Sequence, residues 1–413
     1  MTLVDVAAES VLAREDLPFT FSVATSFAEA GLSREEWDEF VLSVGGEIYS
    51  SYDWCRIWWQ HYGRGRNLRL FVFRHGNRLV GLAPMFIERI WLGPITVRIA
   101  KRISADFAMD VFALPVSTKW SDDIYKQMFS YLIETEKCDA VWFGFLPSED
   151  PSLPSLRAVA SLPGEPFILI RDSRAGVRTV FYLPGSFEAY VAGLEKSARQ
   201  NYRRQFKLLK KAFDVKEIVV SEPAAAKAEF HAFRAFHTKQ WEAAGSPGHF
   251  GDWPHSDAFN RDLVAQLAPL GRFRMLHLYA GDSAVASQYA FTFGPNCYWR
   301  LPARSTEKEM GRFGLGVLGL MHLLEQMSFE GISRIDAGRG HYDYKVQYGG
   351  LESDYSSVLL RSNRPGSSFR VRLFVALSDL IHLVYYRIWR LRLAPRLPLP
   401  RRPLWQTWIR SRV

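Results

Sequence analysis

The 413-residue sequence contains few cysteines, and their spacing excludes two classes of site. Cys55, Cys138 and Cys297 are far apart in the chain, so there is no CxxC pair, no zinc-finger spacing and no disulfide framework. Isolated cysteines at this low frequency are typical of a reducing compartment. The sequence therefore predicts a cytoplasmic protein without structural disulfides.

Long uncharged apolar runs are also missing. Residues 373–386 come nearest, but they contain Asp379 and His382 and are too short to cross a bilayer. The first residues have neither the basic nor the apolar region of a secretory signal. We expect neither a membrane span nor export by that route.

Several catalytic motifs are absent. The chain has no HExxH, no GxSxG, no GxxxxGK[ST] and no GxGxxG after a strand. The ten histidines are dispersed, and His249 and His255 lie in a turn-rich loop that resembles a substrate rim more than a metal site. These absences exclude the common metalloprotease, serine hydrolase, NTPase and dinucleotide-binding classes, and no bound metal is expected.

Acidic residues are nearly absent from the C-terminal tail. Residues 361–413 hold 12 arginines, one aspartate and no lysine, so they carry +11 and the first 360 residues carry −2. A nearly neutral body argues against a nucleic-acid groove. Within the tail, residues 369–393 are apolar almost all round a helical projection and are flanked by arginines. Such a helix either packs against the body or lies in the interface of an anionic membrane. The second alternative predicts peripheral association at an inner membrane.

Two segments of the chain follow one plan. An alternating hairpin turns at Gly76 in the first half and at Gly281 in the second, and each hairpin is followed by an amphipathic or apolar helix and then a buried strand. The fold class predicted is α/β (α+β): tandem domains, each a mixed, mostly antiparallel sheet flanked by helices. The expected divisions are an N-terminal lead segment (1–47), an N-terminal domain (48–170), a C-terminal domain (171–362) and a basic helical tail (363–413).

A helix between the two halves is predicted over residues 194–213. Its apolar residues, from Leu194 to Phe213, form one stripe, while the opposite stripe is basic and includes Arg203. The basic stripe is either a solvated face or a site for an anionic substrate.

The stretch 297–331 carries the strongest signal for a ligand. A strand is followed by glycines at 311, 314 and 316 and then by an apolar helix. Glycines at a helix start let an anion approach unpaired backbone N–H groups, where the helix dipole is also favourable. Glycine at a helix start is also an ordinary cap. As a pyrophosphate cradle it would use the segment's loop and strand residues: Tyr298, Arg300, Leu301, Arg312, Gly314, Leu315 and Gly316.

The next buried strand opens into a polar loop, and here the sequence resembles a known family. The loop reads D-x-G-x-G-x-x-x-Y-K, with Asp336, Gly338, Gly340, Tyr344 and Lys345 at the fixed positions. This order of motifs, with the Trp-rich segment near Trp54, the basic helix and the run around Trp241, resembles the GNAT acyltransferase superfamily, in its BioF-like or cellulose-biosynthesis CelD-type branch. The architecture is also similar to the FemABX aminoacyl-tRNA-dependent transferases.

The resemblance implies acyl transfer from acetyl-CoA, without a metal, to an amine or hydroxyl of a small-molecule, sugar or lipid-linked acceptor in polysaccharide or envelope biosynthesis. Gly311 stands where the family has Arg or Gln in its pyrophosphate loop, so one side-chain contact is missing. The alternatives are a FemABX-like transferase, which a basic surface on the body would favour, and a non-catalytic scaffold, which Gly311 favours.

Transfer from a thioester needs a base, an oxyanion donor and a proton for the thiolate. The candidates for the base are Asp336 and Asp343, with His341 third. The alternative role for Asp336 is to bind the amides of its loop. Lys345 would supply a cation, and Tyr344 would protonate the leaving thiolate. We expect only the second half to bind the donor and the first half to supply Asp106 or Asp110 to the acceptor site. The remaining residues assigned to the acceptor are Trp241, Trp299, Arg203 and His341.

Overall fold

The computed structural model describes residues 18–108, 110–245, 248–251, 253–394 and 404–413. The elements of the first half run, in chain order, β1 (Phe19–Ala24), α1 (Arg34–Ser43), α2 (Tyr52–Tyr62), β2 (Asn67–His75), β3 (Arg78–Leu92), β4 (Ile95–Arg102), α3 (Ser121–Ser130), β5 (Ala140–Pro147) and α4 (Leu153–Ala160).

The second half follows with longer helices. Its elements are β6 (Phe167–Tyr182), α5 (Phe187–Gly193), α6 (Lys196–Ala212), β7 (Val215–Val220), α7 (Pro223–Ala243), α8 (Ser256–Leu267), β8 (Phe273–Ala280), β9 (Ser283–Phe293), β10 (Asn296–Arg304), α9 (Leu315–Phe329), β11 (Arg334–Arg339), α10 (Asp343–Gln347) and β12 (Leu351–Ser362). The tail forms α11 (Pro365–Ile381), a π-helical continuation (His382–Leu393) and α12 (Trp405–Ser411).

All twelve described strands form one mixed sheet in the order β1-β2-β3-β4-β5-β12-β6-β11-β10-β9-β8-β7. The β4–β5 and β10–β11 pairs are parallel, and the other neighbours are antiparallel. The predicted fold class, a mostly antiparallel sheet with helices on its faces, is confirmed. Each half repeats one order of five strands, from β1 to β5 and from β7 to β11.

Two short turns set the register of the repeated hairpins. Gly76 and Gly281 adopt φ of +58° and +64°, which the tight β2–β3 and β8–β9 connections require. Glycine meets this requirement without steric cost, so the turns could be read from the sequence.

Strands β6 and β12 join the two halves. β12 pairs with β5 along one edge and with β6 along the other, while β6 also pairs with β11. The expected division at residues 170 and 171 therefore falls inside β6, and β12 extends the sheet of the first half. The assignment of separate domains stays a prediction, since the two halves share one continuous sheet.

The two helices beside the second-half sheet have the character their sequences predict. α9 is buried over most of its length, in a cluster that includes Leu320 and Met321, because it is apolar all round. α6 buries Ala198 and Leu209 and leaves its basic stripe exposed. The solvated interpretation of that stripe fits the structure.

The tail packs one face of α11 on the body. Val371 and Phe374 lie in a cluster with Ile99 and Leu359, so the helix covers β4 and β12. Among the described residues, no helix combines the length and the apolar character needed to cross a membrane.

Candidate active site

Strands β10 and β11 part close to their beginning. They pair in parallel over only three residue pairs, ending with Tyr298 opposite Asp336. Beyond this point a bulge interrupts β10 between Trp299 and Leu301, and β11 turns at Gly338, whose φ is +77°. The strands diverge because a bulge bends its strand and ends regular pairing. The gap between them opens onto two cavities.

The first cavity, which we call the cradle cavity, has a volume of about 360 Å³ and lies against the start of α9. Gly314 caps this helix with φ of +60°, and a Cβ there would overlap the Gln205 side chain of α6. A Cβ at Gly311 would meet nothing within 4 Å, and one at Gly316 would meet only Arg304, at 3.7 Å. The glycines thus leave room for a ligand above the first turn of α9, where unpaired N–H groups favour an anion.

The second cavity, the cleft, has a volume of about 300 Å³ and adjoins the first. Gln240, Pro302 and Tyr344 line both cavities, so these three residues lie between them. The cleft walls are aromatic and charged. They include Tyr49, Asp110, Arg178, Trp241, His249, Trp253, Asn260, Trp299, Arg300, Leu301, Asp336, Arg339, Tyr342 and Lys345.

The contribution of each half to the cavities follows the expected division. The residues lining the cradle cavity run from Gln240 to Tyr344 and belong to the second half alone. The cleft also takes Tyr49, Asp110 and their neighbours from the first half. Donor and acceptor binding by these cavities stay predictions.

Lys345 is the buried cation of the cleft. Its side chain lies over the rings of Tyr342 and Trp299, with Nζ 4.4 and 5.1 Å from the ring centroids. Nζ donates a 2.7 Å hydrogen bond to the Ala337 carbonyl. Burial lowers the pKa of Lys345 to about 8, although nearby Asp336 opposes this effect. An ammonium held in this way can stabilise a developing negative charge.

Tyr344 lies where the two cavities meet. Burial raises the pKa of Tyr344 to about 12, so the phenol keeps its proton at neutral pH. A protonated phenol at the junction can donate a proton to a leaving group. The role of Tyr344 as the acid for the leaving thiolate stays a prediction.

Asp110 places a carboxylate at the cleft, and only one of its two oxygens has a hydrogen-bond partner. Oδ1 accepts a 2.9 Å hydrogen bond from Arg300 Nη1, whereas Oδ2 is buried without a hydrogen-bond partner. Burial raises the pKa of Asp110, and the charge of Arg300 opposes the shift. A buried carboxylate with a free oxygen and a raised pKa is suited to accept a proton.

Asp336 has a different environment, although it also lines the cleft. Oδ1 accepts a 2.7 Å hydrogen bond from the Gly338 amide, and Oδ2 lies 3.3 Å from Arg178 Nη1. Both oxygens are therefore engaged. The geometry favours the loop-binding role over that of a base, and Asp336 holds β11 and its loop in place.

The comparisons with known proteins agree with this geometry. Residues 196–346 match the acetyltransferase (GNAT) domain family. The matched region lies within the second half. The match begins with α6 and ends in α10, and it includes Gly314, Gly316, Tyr344 and Lys345.

Solved structures show that the fold extends beyond this domain. FemX is similar with a TM-score of 0.56 and 12% identity, over 79% of this chain and 96% of FemX. L-PGS from Bacillus licheniformis gives a TM-score of 0.45 at 11% identity over 85% and 97% of the two chains, and a tandem GNAT protein from the clavulanic acid biosynthesis pathway gives 0.40 at 9% over 84% and 99%. These last two scores are too low to carry an argument, and at 12% identity FemX shows a shared fold alone. No curated protein gives a significant match.

Two residues assigned to the GNAT site from the sequence are buried in the body instead. Asp106 lies 2.6 Å from Arg66 and accepts the Phe107 amide at 2.7 Å, without exposure to the cleft. The Tyr298 ring packs edge-on against Tyr49 with centroids 5.3 Å apart. The assignment of Asp106 to the acceptor site was wrong, because its carboxylate faces the core. The prediction for Tyr298 concerned backbone N–H groups of its strand and stays a prediction. Tyr298 contributes only the backbone at which β10 leaves β11.

Four further residues point into solvent. The Asp343 side chain is 99% exposed and hydrogen-bonds His341, which also contacts Glu352 at 2.7 Å. Hydrogen bonding to Glu352, and then to Asp343, raises the pKa of His341. Neither Asp343 nor His341 lines the cleft, so neither residue is placed to act as the base. Arg203 and Arg312 are exposed as well and line neither cavity, which corrects their assignment to substrate and cofactor.

Sequence reasoning missed two polar residues that line these cavities. Gln240 on α7 accepts the Arg304 amide at 2.8 Å and lines both cavities. Gln288 on β9 is buried in the cradle cavity, with Oε1 free of a hydrogen-bond partner. The signal for Gln288 was present, because a glutamine within a run of apolar strand residues needs a reason to be buried.

Candidate metal ligands also occur away from the two cavities. Glu217, His322 and Glu325 bring their ligand atoms within 4.8 Å of one another beside α9. None of the three lines the cleft or the cradle cavity. The expectation of a metal-free active site stays a prediction.

Proposed function

We propose that the protein is an acyltransferase that moves an acyl group, acetyl in the simplest case, from acyl-CoA to an amine or hydroxyl of a sugar-bearing acceptor. The observation that carries this proposal is that the two cavities are adjacent and share Gln240, Pro302 and Tyr344 as lining residues. A two-substrate transfer needs separate pockets that meet at the reacting atoms. The glycine-lined cradle fits a pyrophosphate, and the aromatic and charged cleft fits a polar acceptor with apolar faces.

The thioester contributes an activated carbonyl carbon and a thiolate leaving group. Backbone amides of Leu315 and Gly316 in the first turn of α9 would hold the diphosphate, since the Val317 amide already donates to the Gly314 carbonyl at 2.9 Å. Gln240 and Tyr344 would line the path of the acyl arm into the cleft. Gly311 offers no side chain to this cradle, so its binding rests on the backbone.

The cleft residues account for the proton transfers of the reaction. Asp110 Oδ2 accepts the proton of the attacking amine or hydroxyl as the new C–N or C–O bond forms. Lys345 stabilises the negative charge that develops on the carbonyl oxygen. Tyr344 gives its proton to the sulfur as the C–S bond breaks. The proton on Asp110 then leaves to solvent and Tyr344 takes up a proton from solvent, so both residues return to their starting states. Each bond that breaks is matched by one that forms.

A role in polysaccharide or envelope biosynthesis is the finer part of the proposal. It rests on the aromatic residues Trp241, Trp253 and Trp299 in the cleft, since flat indole faces pack against sugar rings. The indole N–H group of Trp299 is buried without a hydrogen-bond partner. Acceptor hydroxyls are suitable partners for such groups.

The test of donor binding compares two glycine variants. In Gly316→Leu a side chain fills the cradle cavity, whereas in Gly193→Leu it enters open space at the end of α5, away from both cavities. We expect acetyl-CoA at a hundred times its Kd to stabilise the protein and the Gly193 variant by about 2.7 kcal/mol in thermal unfolding, but not the Gly316 variant. A shift of equal size in both variants would contradict the cradle, and no shift with any acyl-CoA would contradict the donor.

The test of transfer measures release of CoA thiol in the presence of amino sugars and nucleotide sugars. Thiol release that depends on an acceptor is the expected result. Release that is the same with water alone would exclude these compounds as acceptors.

A second candidate, aminoacyl-tRNA-dependent transfer, has one observation in its favour. The exposed face of α6 is basic and includes Arg203, Arg204 and Lys207, while Gln205 of the same helix lies beside Gly314 in the cradle. An extended nucleic-acid donor would use such a surface. Arg203→Glu with Lys207→Glu should then abolish tRNA binding and leave acetyl-CoA binding unchanged. Failure of the unchanged protein to bind aminoacyl-tRNA would exclude this candidate.

A further inference from the structure

The outer face of the tail helix carries large apolar side chains in solvent. Their exposed fractions range from 38% for Ile388 to 69% for Phe369. Together they follow α11 and its π-helical continuation, and we call them the tail face: Phe369, Leu380, Leu383, Val384, Ile388, Leu391 and Leu393. A helix on the surface of a globular protein normally presents polar residues outward. This helix is apolar on two sides.

The other side of the helix fixes its position. Val371, Phe374 and Tyr385 are buried, and Ser378 Oγ donates a 2.8 Å hydrogen bond to the Ser411 carbonyl of α12. The apolar residues of the tail face therefore cannot turn inward without breaking these contacts. Contiguous exposed apolar surface of this kind marks an interaction site.

The charges around the tail face are of one sign. Arg372, Arg387 and Arg392 are exposed next to it. Asp379, the one acidic residue of the tail, pairs with Arg171 at 2.7 Å. An apolar strip bordered by arginines complements the interface of a bilayer with anionic headgroups, where the strip enters the acyl boundary and the arginines reach the phosphates.

We propose that the tail face docks the protein on an anionic lipid surface as an in-plane amphipathic helix. The occupant is the bilayer interface itself, because the apolar strip extends over more than twenty residues and no helix described here can span a membrane. This inference goes beyond the proposed acyl transfer and does not depend on it.

The experiment uses the full chain and phosphatidylcholine vesicles with and without phosphatidylglycerol. We expect co-sedimentation with the anionic vesicles that weakens at high salt, because screening shortens the reach of the arginines. Leu383→Glu with Val384→Glu should lower binding at least about tenfold by placing charge in the apolar strip. Arg387→Gln with Arg392→Gln should lower it about fivefold for each arginine removed.

The matched control is Phe329→Glu, at a side chain that is 87% exposed at the end of α9, outside the tail. This variant should bind vesicles as the unchanged protein does. All the changed side chains are exposed, so thermal unfolding should stay the same, and this measurement separates loss of binding from loss of fold.

Three results would overturn the proposal. The first is no binding to anionic vesicles, and the second is equal binding by the Leu383 and Val384 variant. The third is a concentration-dependent dimer that this variant abolishes, which would assign the tail face to a second copy of the chain.

Discussion

The two halves of the sheet part their parallel strands in the same way, but among the described residues the parting of β10 and β11 leads to a cavity and that of β4 and β5 is filled. β4 and β5 pair over three residue pairs, just as β10 and β11 do. In the first half the guanidinium of Arg102 fills the gap, without exposure to solvent. It donates to the Phe143 carbonyl, to the Phe145 carbonyl at 2.9 Å and to the Asp110 carbonyl at 3.0 Å. In the second half the gap is open to ligand.

The helices that follow the two points of strand divergence, α3 and α9, also differ in their first turns. The first turn of α3 contains Asp122 and Asp123, whereas that of α9 has no acidic residue and begins with glycine. Carboxylates at a helix N-terminus satisfy its dipole and repel a phosphate. The comparison teaches that a few side chains leave one repeated frame open in the second half, where we propose that the donor binds, and fill it in the first, the supporting half.

The supporting half still contributes to the site. The Asp110 carbonyl accepts from Arg102, and its side chain accepts from Arg300 on β10. Asp110 therefore binds Arg102 in the filled gap through its carbonyl and presents its carboxylate to the open cleft. Arg102 acts as a positioning residue for Asp110.

The largest expected effect comes from removing the filling side chain. Arg102→Ala leaves three carbonyls without this donor and opens a cavity, so the free energy of unfolding should fall by about 3 kcal/mol or more. Urea unfolding measures this loss, with the exposed Arg89→Ala as the control. A change below about 0.5 kcal/mol in Arg102→Ala would contradict the supporting role.

The same variant tests whether the halves are distinct as binding sites. The acidic first turn of α3 should prevent a second acyl-CoA from binding even when the gap is open. Calorimetric titration of Arg102→Ala should give one acyl-CoA per chain, as in the unchanged protein. Binding of two acyl-CoA molecules per chain would contradict the proposed difference between the two halves.

The next effect concerns Asp110, through which the first half acts on the second. Asp110→Asn should lower kcat by about a hundredfold or more, because a general base contributes that much, with little change in acyl-CoA binding. In the unchanged protein kcat should rise with pH through the raised pKa of Asp110, since the carboxylate must lose its proton to act. The Asn variant should lose this rising limb. An unaltered pH profile would exclude Asp110 as the base.

A smaller effect is expected for Lys345. Lys345→Met should lower kcat about tenfold and leave the KM for the donor nearly unchanged, because the charge acts on the developing oxyanion. The group is useful only when protonated, so kcat of the unchanged protein should fall above about pH 8, following its pKa of about 8. The Met variant should lack this falling limb, and its persistence would assign the limb to another group.

The smallest effect is expected at the exposed end of the polar loop. Asp343→Asn and His341→Gln should each change kcat/KM by less than about twofold, because neither side chain lines the cleft. A loss of about a hundredfold in either variant would mean that the loop closes onto the cleft during turnover.

Much of the fold was predictable because local rules govern it. The hairpins turn where Gly76 and Gly281 allow positive φ, and α6 shows its amphipathic stripe directly in the sequence. The cradle at Gly314 and Gly316 was predictable for the same reason, since a helix start with glycines has a local signature. The pairing of β12 with both β5 and β6 was not predictable, because residues of β12 stand more than 200 positions from their partners in β5.

The sequence by itself determined the repeated elements, the glycine-lined start of α9 and the excess of arginine in the tail, all of which depend on neighbouring residues. Only the tertiary structure decided which acidic residue faces the cleft. Asp106 and Asp110 stand four positions apart in one loop, yet Arg66 holds the first in the core and Arg300 holds the second at the cleft. Their fates differ because partners from distant strands, rather than the loop sequence, set the burial and the direction of each carboxylate.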